Sequence, residues 1–322
     1  MKVAKSAGTI FRVLLSVGLV MLGYLFIDLD IKEIWGLLSQ LDPKWALTAV
    51  ALLTMQLLLT SFRWYLINKS LEIPTTLKTC LRLMFVGQFF NQCLPTSIGG
   101  DGVKIGVMCK VGMIPLQTSV LSVLTDRIVG LLVLILVACT SWLVFVNIWP
   151  TPIFQEGTIS IILVCCTLVP FITIFLIFPR IAHILKEKDS YARIRALASA
   201  SNTLAMDFKV SINIFWLSAA VQVLIALSIY CGSRALNVDL PLLALLLIPL
   251  IIFVASVPFS FAGWGLREGA MITGLAILGV SANEAISISI LHGVAQLLIG
   301  LPGAYIAVTQ IGANFGPSAH YK

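Results

Sequence analysis

Seven charges stand around two Pro/Gly turns in otherwise apolar sequence: Asp101, Lys104, Lys110, Asp126, Arg127, Arg267 and Glu268. An ionised side chain within hydrocarbon costs about 2.5–3.5 kcal/mol on insertion scales unless it is paired or hydrated. Charges at such positions act either as ion pairs that close a helix bundle or as contacts for a charged ligand. Three acids face four bases, so complete pairing still leaves a cation. A surplus cation beside glycine backbone N–H groups is chemistry suited to phosphate. Lys104, Arg127 and Arg267 are therefore the candidates to bind the phosphate of a lipid headgroup, and Asp101, Asp126 and Glu268 the candidates for ion pairing or coupling. For Asp126 and Glu268 the structural and functional readings both stand, because Arg127 and Arg267 are their sequence neighbours.

The two turns match each other. Leu94-Pro-Thr-Ser-Ile-Gly-Gly-Asp-Gly-Val-Lys104 and Val257-Pro-Phe-Ser-Phe-Ala-Gly-Trp-Gly-Leu-Arg267 align at a constant offset of 163 residues. Pro95/Pro258, Ser97/Ser260, Gly100/Gly263 and Gly102/Gly265 are identical, and Gly99/Ala262 and Lys104/Arg267 are conservative. Proline removes a backbone donor and glycine admits angles that other residues avoid, so each turn breaks a helix that runs into it. Glu268 corresponds to Ile105, so the two tips differ in chemistry.

The elements that must carry these residues are membrane helices. The 322 residues are 59% hydrophobic and 11% charged, against about 25% charged in soluble domains. The basic excess, 21 Lys+Arg against 14 Asp+Glu, indicates cytoplasmic loops and anionic lipid, with no nucleic-acid partner. Seven cysteines without a CxxC pair read as free, buried thiols. The basic leader and first apolar run lack a small-x-small cleavage site, so the run reads as a retained helix. Spans are expected at about 13–28, 45–62, 127–147, 158–178, 212–232 and 285–308. Residues 29–44 suggest a surface amphipathic helix. Arg63-Trp64-Tyr65 reads as an interface stop, and Trp45, Trp64, Trp142 and Trp149 as interface anchors. The apolar runs at about 83–94 and 103–113, and at 241–256 and 268–280, are too short to span alone.

Charge by side sets the orientation. The N-terminus, 63–82, 179–211 and the tail hold fourteen Lys+Arg, whereas 29–44, 148–157 and 233–240 hold three. Both termini are therefore expected in the cytoplasm. Residues 82 and 127 fall on one side, so the intervening segment must enter and return; the same holds for 240 and 284 on the other side. Each turn is expected at the tip of a re-entrant hairpin, with a pair of short full spans as the alternative. The expected fold is all-α: one integral membrane domain, 1–322, with six spans and two hairpins. It divides into inverted repeats, 1–150 with tip 94–104 and 151–322 with tip 257–267, as in transporters whose broken helices meet near the midplane.

Other residues offer less. His292 reads as a packed interior histidine, and His183 and His320 as solvated loop residues. Asn91 and Gln88 serve equally to line a polar path or to bond broken backbone. The sequence has no Walker A loop, no HExxH and no nucleophile–base–acid set. No metal, cofactor or enzymatic activity is expected.

Leu94-Pro-Thr-Ser-Ile-Gly-Gly-Asp-Gly, Asp126-Arg127-Ile-Val-Gly-Leu131, Arg63-Trp64 and Gly263-Trp-Gly-Leu-Arg-Glu-Gly-Ala270 together resemble the flippase-like domain family, also called the lysylphosphatidylglycerol synthase transmembrane region. The resemblance covers about 10–310 and points to a stand-alone form without the synthase domain. It implies translocation of a lipid or lipid-linked precursor, with membrane lipids as partners and a glycosyltransferase or lipid synthase as a further one. The expected activity is a flippase of the cytoplasmic (inner) membrane. Its substrate would be an anionic phospholipid, an aminoacyl-phospholipid or a polyprenyl-phosphate, moved by alternating access at a midplane site. Transport would run downhill or be coupled to protons. The alternative is a non-transporting subunit that presents lipid to such an enzyme, and a weaker option is an intramembrane lipid-modifying enzyme.

Overall fold

The computed structural model describes residues 30–93, 99–149, 208–256 and 265–311, whose regular structure is helical, with no strand among them. Helix α1 spans Ile31–Ser39, α2 Pro43–Ser70, α3 Leu77–Cys93, α4 Gly99–Lys110 and α5 Leu116–Ile148. Helix α6 spans Phe208–Ala235, α7 Ala244–Ala255, α8 Leu266–Ala276 and α9 Ala282–Ile306. Four helical stretches are long and apolar enough to cross a membrane: 43–70, 116–148, 209–235 and 282–309. They correspond to the expected spans at 45–62, 127–147, 212–232 and 285–308. The expected spans at 13–28 and 158–178, the 179–207 segment and the tail lie outside the described residues.

Local chemistry explains the starts. Asp42 caps α2 by accepting from the Lys44 N–H at 2.8 Å, and Pro43 takes the first helical position, where no donor is needed. Ser281 caps α9, and the Glu284 carboxylate reaches back to the Ser281 N–H at 2.9 Å. Helix α8 starts differently. Gly265 holds a φ of +93°, which glycine adopts without strain, and its N–H donates to the Glu268 carboxylate.

Helix α2 runs through Arg63-Trp64-Tyr65 rather than stopping there. No proline or glycine occurs between Pro43 and Pro74, so nothing in the chain ends the helix at the expected interface. Arg63 and Trp64 are buried as a result. Trp142 is also buried, stacked on Phe145 at 5.9 Å, so it is a core residue and not an interface anchor. Trp45 and Trp149 do lie on the exterior. Among the described cysteines none is in a disulfide, and Cys93 is exposed rather than buried.

Packing follows a reciprocal pattern. Helix α2 lies along α6; α3 packs on α9, and α7 packs on α5. The pairs α3–α4 and α7–α8 fold against each other, and α4 and α8 then pack on α5 and α9. One apolar core joins α5 to α9 around Phe145, Ile248, Met271 and Leu275. A second gathers Trp64, Leu83, Met84 and Met108 from α2, α3 and α4. Helix α3 is gripped from two sides. A Cβ on Gly100 would overlap the Gly87 carbonyl oxygen, and one on Gly303 would overlap the Phe85 carbonyl oxygen. Close backbone approach through small residues is how helices associate where lipid removes the hydrophobic drive between them.

These crossings make a differential prediction. Gly303→Val and Gly100→Val meet backbone, which cannot rotate away, and are expected to destabilise the fold by at least ~1–3 kcal/mol. Gly106 has open space at its Cβ, so Gly106→Ala is expected to be neutral or to stabilise by up to ~1 kcal/mol through helix propensity. Thermal unfolding of the purified variants in detergent checks both signs.

Candidate functional site

The first charge cluster forms where α2, α4 and α5 meet. Asp101 and Lys104 stand one turn apart on α4, and their side chains pair at 2.7 Å. Arg127 on α5 grips the same carboxylate in a two-pronged contact, Nε to Oδ2 at 2.7 Å and Nη2 to Oδ1 at 3.1 Å. Asp126 turns the other way. It accepts from Arg63 Nε at 2.9 Å, and Arg63 Nη1 donates to the Ser218 hydroxyl at 3.1 Å. Asp126 thus pairs with a residue 63 positions away rather than with Arg127 beside it, Arg63 on α2 and Asp101 on α4 being the partners that the two neighbours meet.

Among the described residues, two carboxylates meet three cations in this group. Exposure distinguishes the cations: the side chain of Arg127 is 49% exposed, against 5% for Lys104 and 6% for Asp101. Lys104 is enclosed. Its Nζ lies 5.2 Å from the centre of the Trp64 ring and 3.7 Å from Met84 Sδ. A Cβ on Gly87 would sit 3.1 Å from its Cδ and Cε. Trp64 is itself fixed, donating through Nε1 to the Ser122 hydroxyl at 2.9 Å, and Ser122 donates to Asn68. Helix α5 has 33 residues, about 50 Å at 1.5 Å per residue. Arg127 is ~17 Å from its start, which places it some ~7 Å inside a 30 Å hydrocarbon core if the helix is centred.

The second cluster lies on α8 and α9. Arg267 donates to Glu268 Oε1 through Nη2 at 2.9 Å and to the Ser289 hydroxyl through Nε at 3.0 Å. Ser289 also donates to Glu268 at 2.9 Å. Both charged residues are buried. The 163-residue offset that aligns the turns also aligns these sites: Lys104 with Arg267, Asp126 with Ser289, and Gly130 with Gly293. The two glycines do the same work. A Cβ on Gly130 would lie 3.1 Å from the Arg63 guanidinium, and one on Gly293 2.5 Å from Arg267 Nη2. Ile290, however, corresponds to Arg127, so among the described residues the second cluster has no counterpart of that half-open cation.

A polar seam crosses between α3 and α9. Gln92 Nε2 donates to Gln296 Oε1 at 2.6 Å, Gln88 donates to the Gln296 carbonyl at 3.4 Å, and Gln296 Nε2 meets His292 Nε2 at 3.0 Å. His292 is buried, in keeping with an interior histidine.

Of the expected hairpin-tip residues, Pro95, Ser97, Pro258, Ser260 and Gly263 lie outside the described residues. Gly99, Gly100 and Gly102 form the first turn of α4, and Gly265 caps α8. Two tip N–H groups expected to face phosphate are engaged within the chain instead. Gly100 donates to Asn91 Oδ1 at 2.9 Å, and Gly265 donates to Glu268. Asn91 therefore bonds broken backbone. Sequence reasoning missed Arg63 and Ser218, having read Arg63 as the end of a span. The uninterrupted helical stretch up to Pro74 was the available signal.

The pairing pattern predicts which substitutions compensate. Losing Asp126 alone strands a buried guanidinium, a change worth about 3–5 kcal/mol. Arg63→Met with Asp126→Leu is expected to recover much of that loss, with a coupling of ~0.5–3 kcal/mol. Asp126→Asn with Arg127→Gln removes halves of two different pairs and is expected to show little coupling. A double-mutant cycle on thermal stability checks the assignment.

The chain is 22% identical over 283 residues to a UPF0104 membrane protein of Methanothermobacter thermautotrophicus, an alignment covering 80% of this chain and 78% of that protein. The family model for the lysylphosphatidylglycerol synthase TM region matches residues 9–303, and the chain belongs to that family.

Proposed function

We propose that this membrane protein translocates an anionic lipid or lipid-linked precursor, with Arg127 as the first contact for its phosphate. The observation that carries the reading is the charge arrangement at Asp101: one carboxylate serves two cations, and one of them, Arg127, is half open. Asp101 occupies the Nε and Nη2 edge of the guanidinium, which leaves the Nη1/Nη2 end turned away from it. A phosphate arriving there meets a fork already oriented, in a setting where charge is poorly screened. Lys104 then holds Asp101 while Arg127 exchanges partners. Arg267, paired with Glu268, becomes the counterpart that a lipid would meet after an exchange of access.

The reciprocal packing supports an inverted repeat. The arm before each turn packs on the long helix of the opposite half, α3 on α9 and α7 on α5. In this reading 94–104 and 257–267 are tips of re-entrant hairpins, both termini are cytoplasmic, and the protein acts as a transporter rather than an enzyme. The substrate classes are phospholipid, aminoacyl-phospholipid and polyprenyl-phosphate, which share a phosphate and an apolar tail.

The test is reconstitution of the purified chain in liposomes with a headgroup-labelled phosphatidylglycerol. The wild type is expected to move the label between leaflets. Arg127→Gln is expected to slow it at least tenfold while keeping the fold, because Asp101 retains Lys104. Arg127→Lys is expected to recover only part of the rate, since a point charge lacks the guanidinium fork. Lipid binding without movement by the wild type would favour a subunit that presents lipid to a glycosyltransferase or synthase. A normal rate in folded Arg127→Gln would refute the phosphate contact.

A further inference from the structure

A cavity of about 350 Å³ opens between α2, α6 and α9, three of the helices long and apolar enough to cross a membrane. It takes no part in the Asp101 cluster. Small residues create it: Ala46 and Ala49 on α2, Ser228 and Gly232 on α6, and Ala295 on α9 stand where longer side chains would close the gap. Leu47, Val294 and Leu298 line it and are exposed, on helices long and apolar enough to cross a membrane. Leu53, Ile229 and Ile288 form its deeper wall and are buried.

The lining decides the chemistry of the occupant. Its two polar side chains are already engaged: the Ser228 hydroxyl donates to the Ile225 carbonyl at 2.8 Å, and His292 Nε2 meets Gln296 at 3.0 Å. A headgroup or a file of water needs two to four polar partners per bound molecule, and these walls offer few. Burying a polar group there without partners is unfavourable. A hydrocarbon chain needs none. The volume falls at the lower end of ligand pockets, and a membrane around these helices supplies such chains. We propose that this cavity docks one acyl or prenyl chain of a membrane lipid, entering laterally from the bilayer. The proposal goes beyond the translocation reading and rests only on the chain lying in a membrane. His292, which lines the cavity, is one turn from Ser289 and beside Gly293, the two residues that seat Arg267. A docked chain would therefore border the second charged pair.

The test uses the full chain in proteoliposomes containing phosphatidylglycerol with a diazirine near the end of one acyl chain. Photolabelled positions are mapped by mass spectrometry. Labels are expected on Leu53, Ile229 and Ile288, which bulk lipid does not reach, as well as on outward residues such as Leu58 and Phe62. Gly232→Leu is expected to fill the cavity, because a Cβ there meets Leu291 Cδ2 at an ordinary 3.7 Å. Ala49→Leu fills it from the opposite wall. Either variant that melts as the wild type does should lose deep labelling at least fivefold and keep labelling at Leu58 and Phe62. Labels confined to outward faces of the wild type would overturn the proposal without recourse to a variant. So would deep labelling unchanged in both filled variants, or suppressed by soluble glycerol phosphate, which would mark a headgroup site. Photolabelling reports occupancy at equilibrium. Deep labelling in a protein that fails to translocate would thus count against the transport reading and leave the chain site intact.

Discussion

The buried carboxylate of Asp101 is the constraint on which the charged interior depends. Two cations from two helices converge on it at 2.7 Å each. A charge taken out of water without a partner is penalised by several kcal/mol, so α4 and α5 cannot separate without leaving one exposed to hydrocarbon. The same constraint binds α2 to α5 through Arg63 and Asp126, while the Arg267–Glu268 pair on α8 is joined to α9 by the Ser289 hydroxyl. The Asp101–Arg127 and Arg63–Asp126 pairs lie at crossings of helices. The clusters therefore fix register where apolar packing alone would permit sliding.

Glycine makes this arrangement possible. Guanidinium groups are broad, and a helix of ordinary residues has no room for one against its backbone. Gly130 under Arg63 and Gly293 under Arg267 provide that room, 163 positions apart in the sequence. Gly87 does the same for the methylenes of Lys104, and its carbonyl receives the close approach of Gly100. A single residue on α3 thus sets both the crossing with α4 and the path of the lysine. The second cluster repeats the geometry with Ser289 in place of an aspartate and Ile290 in place of an arginine. Among the described residues, the second cluster holds a buried Arg267–Glu268 pair, whereas the first keeps a half-open cation.

Much of this was legible in the sequence. Long apolar runs locate α2, α5, α6 and α9, since twenty apolar residues have few other uses. The matched turns pointed to Lys104 and Arg267, and both fall at charged centres. What sequence could not supply was the partner of each charge. Asp126 beside Arg127 suggests a local pair, but the two side chains meet different neighbours, one on α2 and one on α4. Arg63-Trp64-Tyr65 has the composition of a membrane interface, yet its burial is decided by α5 and α6, which no local pattern reports. The lateral cavity was equally hidden, because it arises from alanine, serine and glycine on three helices distant in sequence.

The central claim is that the Asp101 group presents a surplus positive charge to an anionic headgroup. Headgroup-resolved analysis of lipids retained by the purified protein, wild type against Arg127→Gln, tests it most directly. The account predicts enrichment of phosphate-bearing anionic lipids over the host membrane in the wild type, and its loss in the variant with total bound lipid largely unchanged. Identical headgroup profiles in the two folded proteins, each matching the bulk membrane, would contradict it.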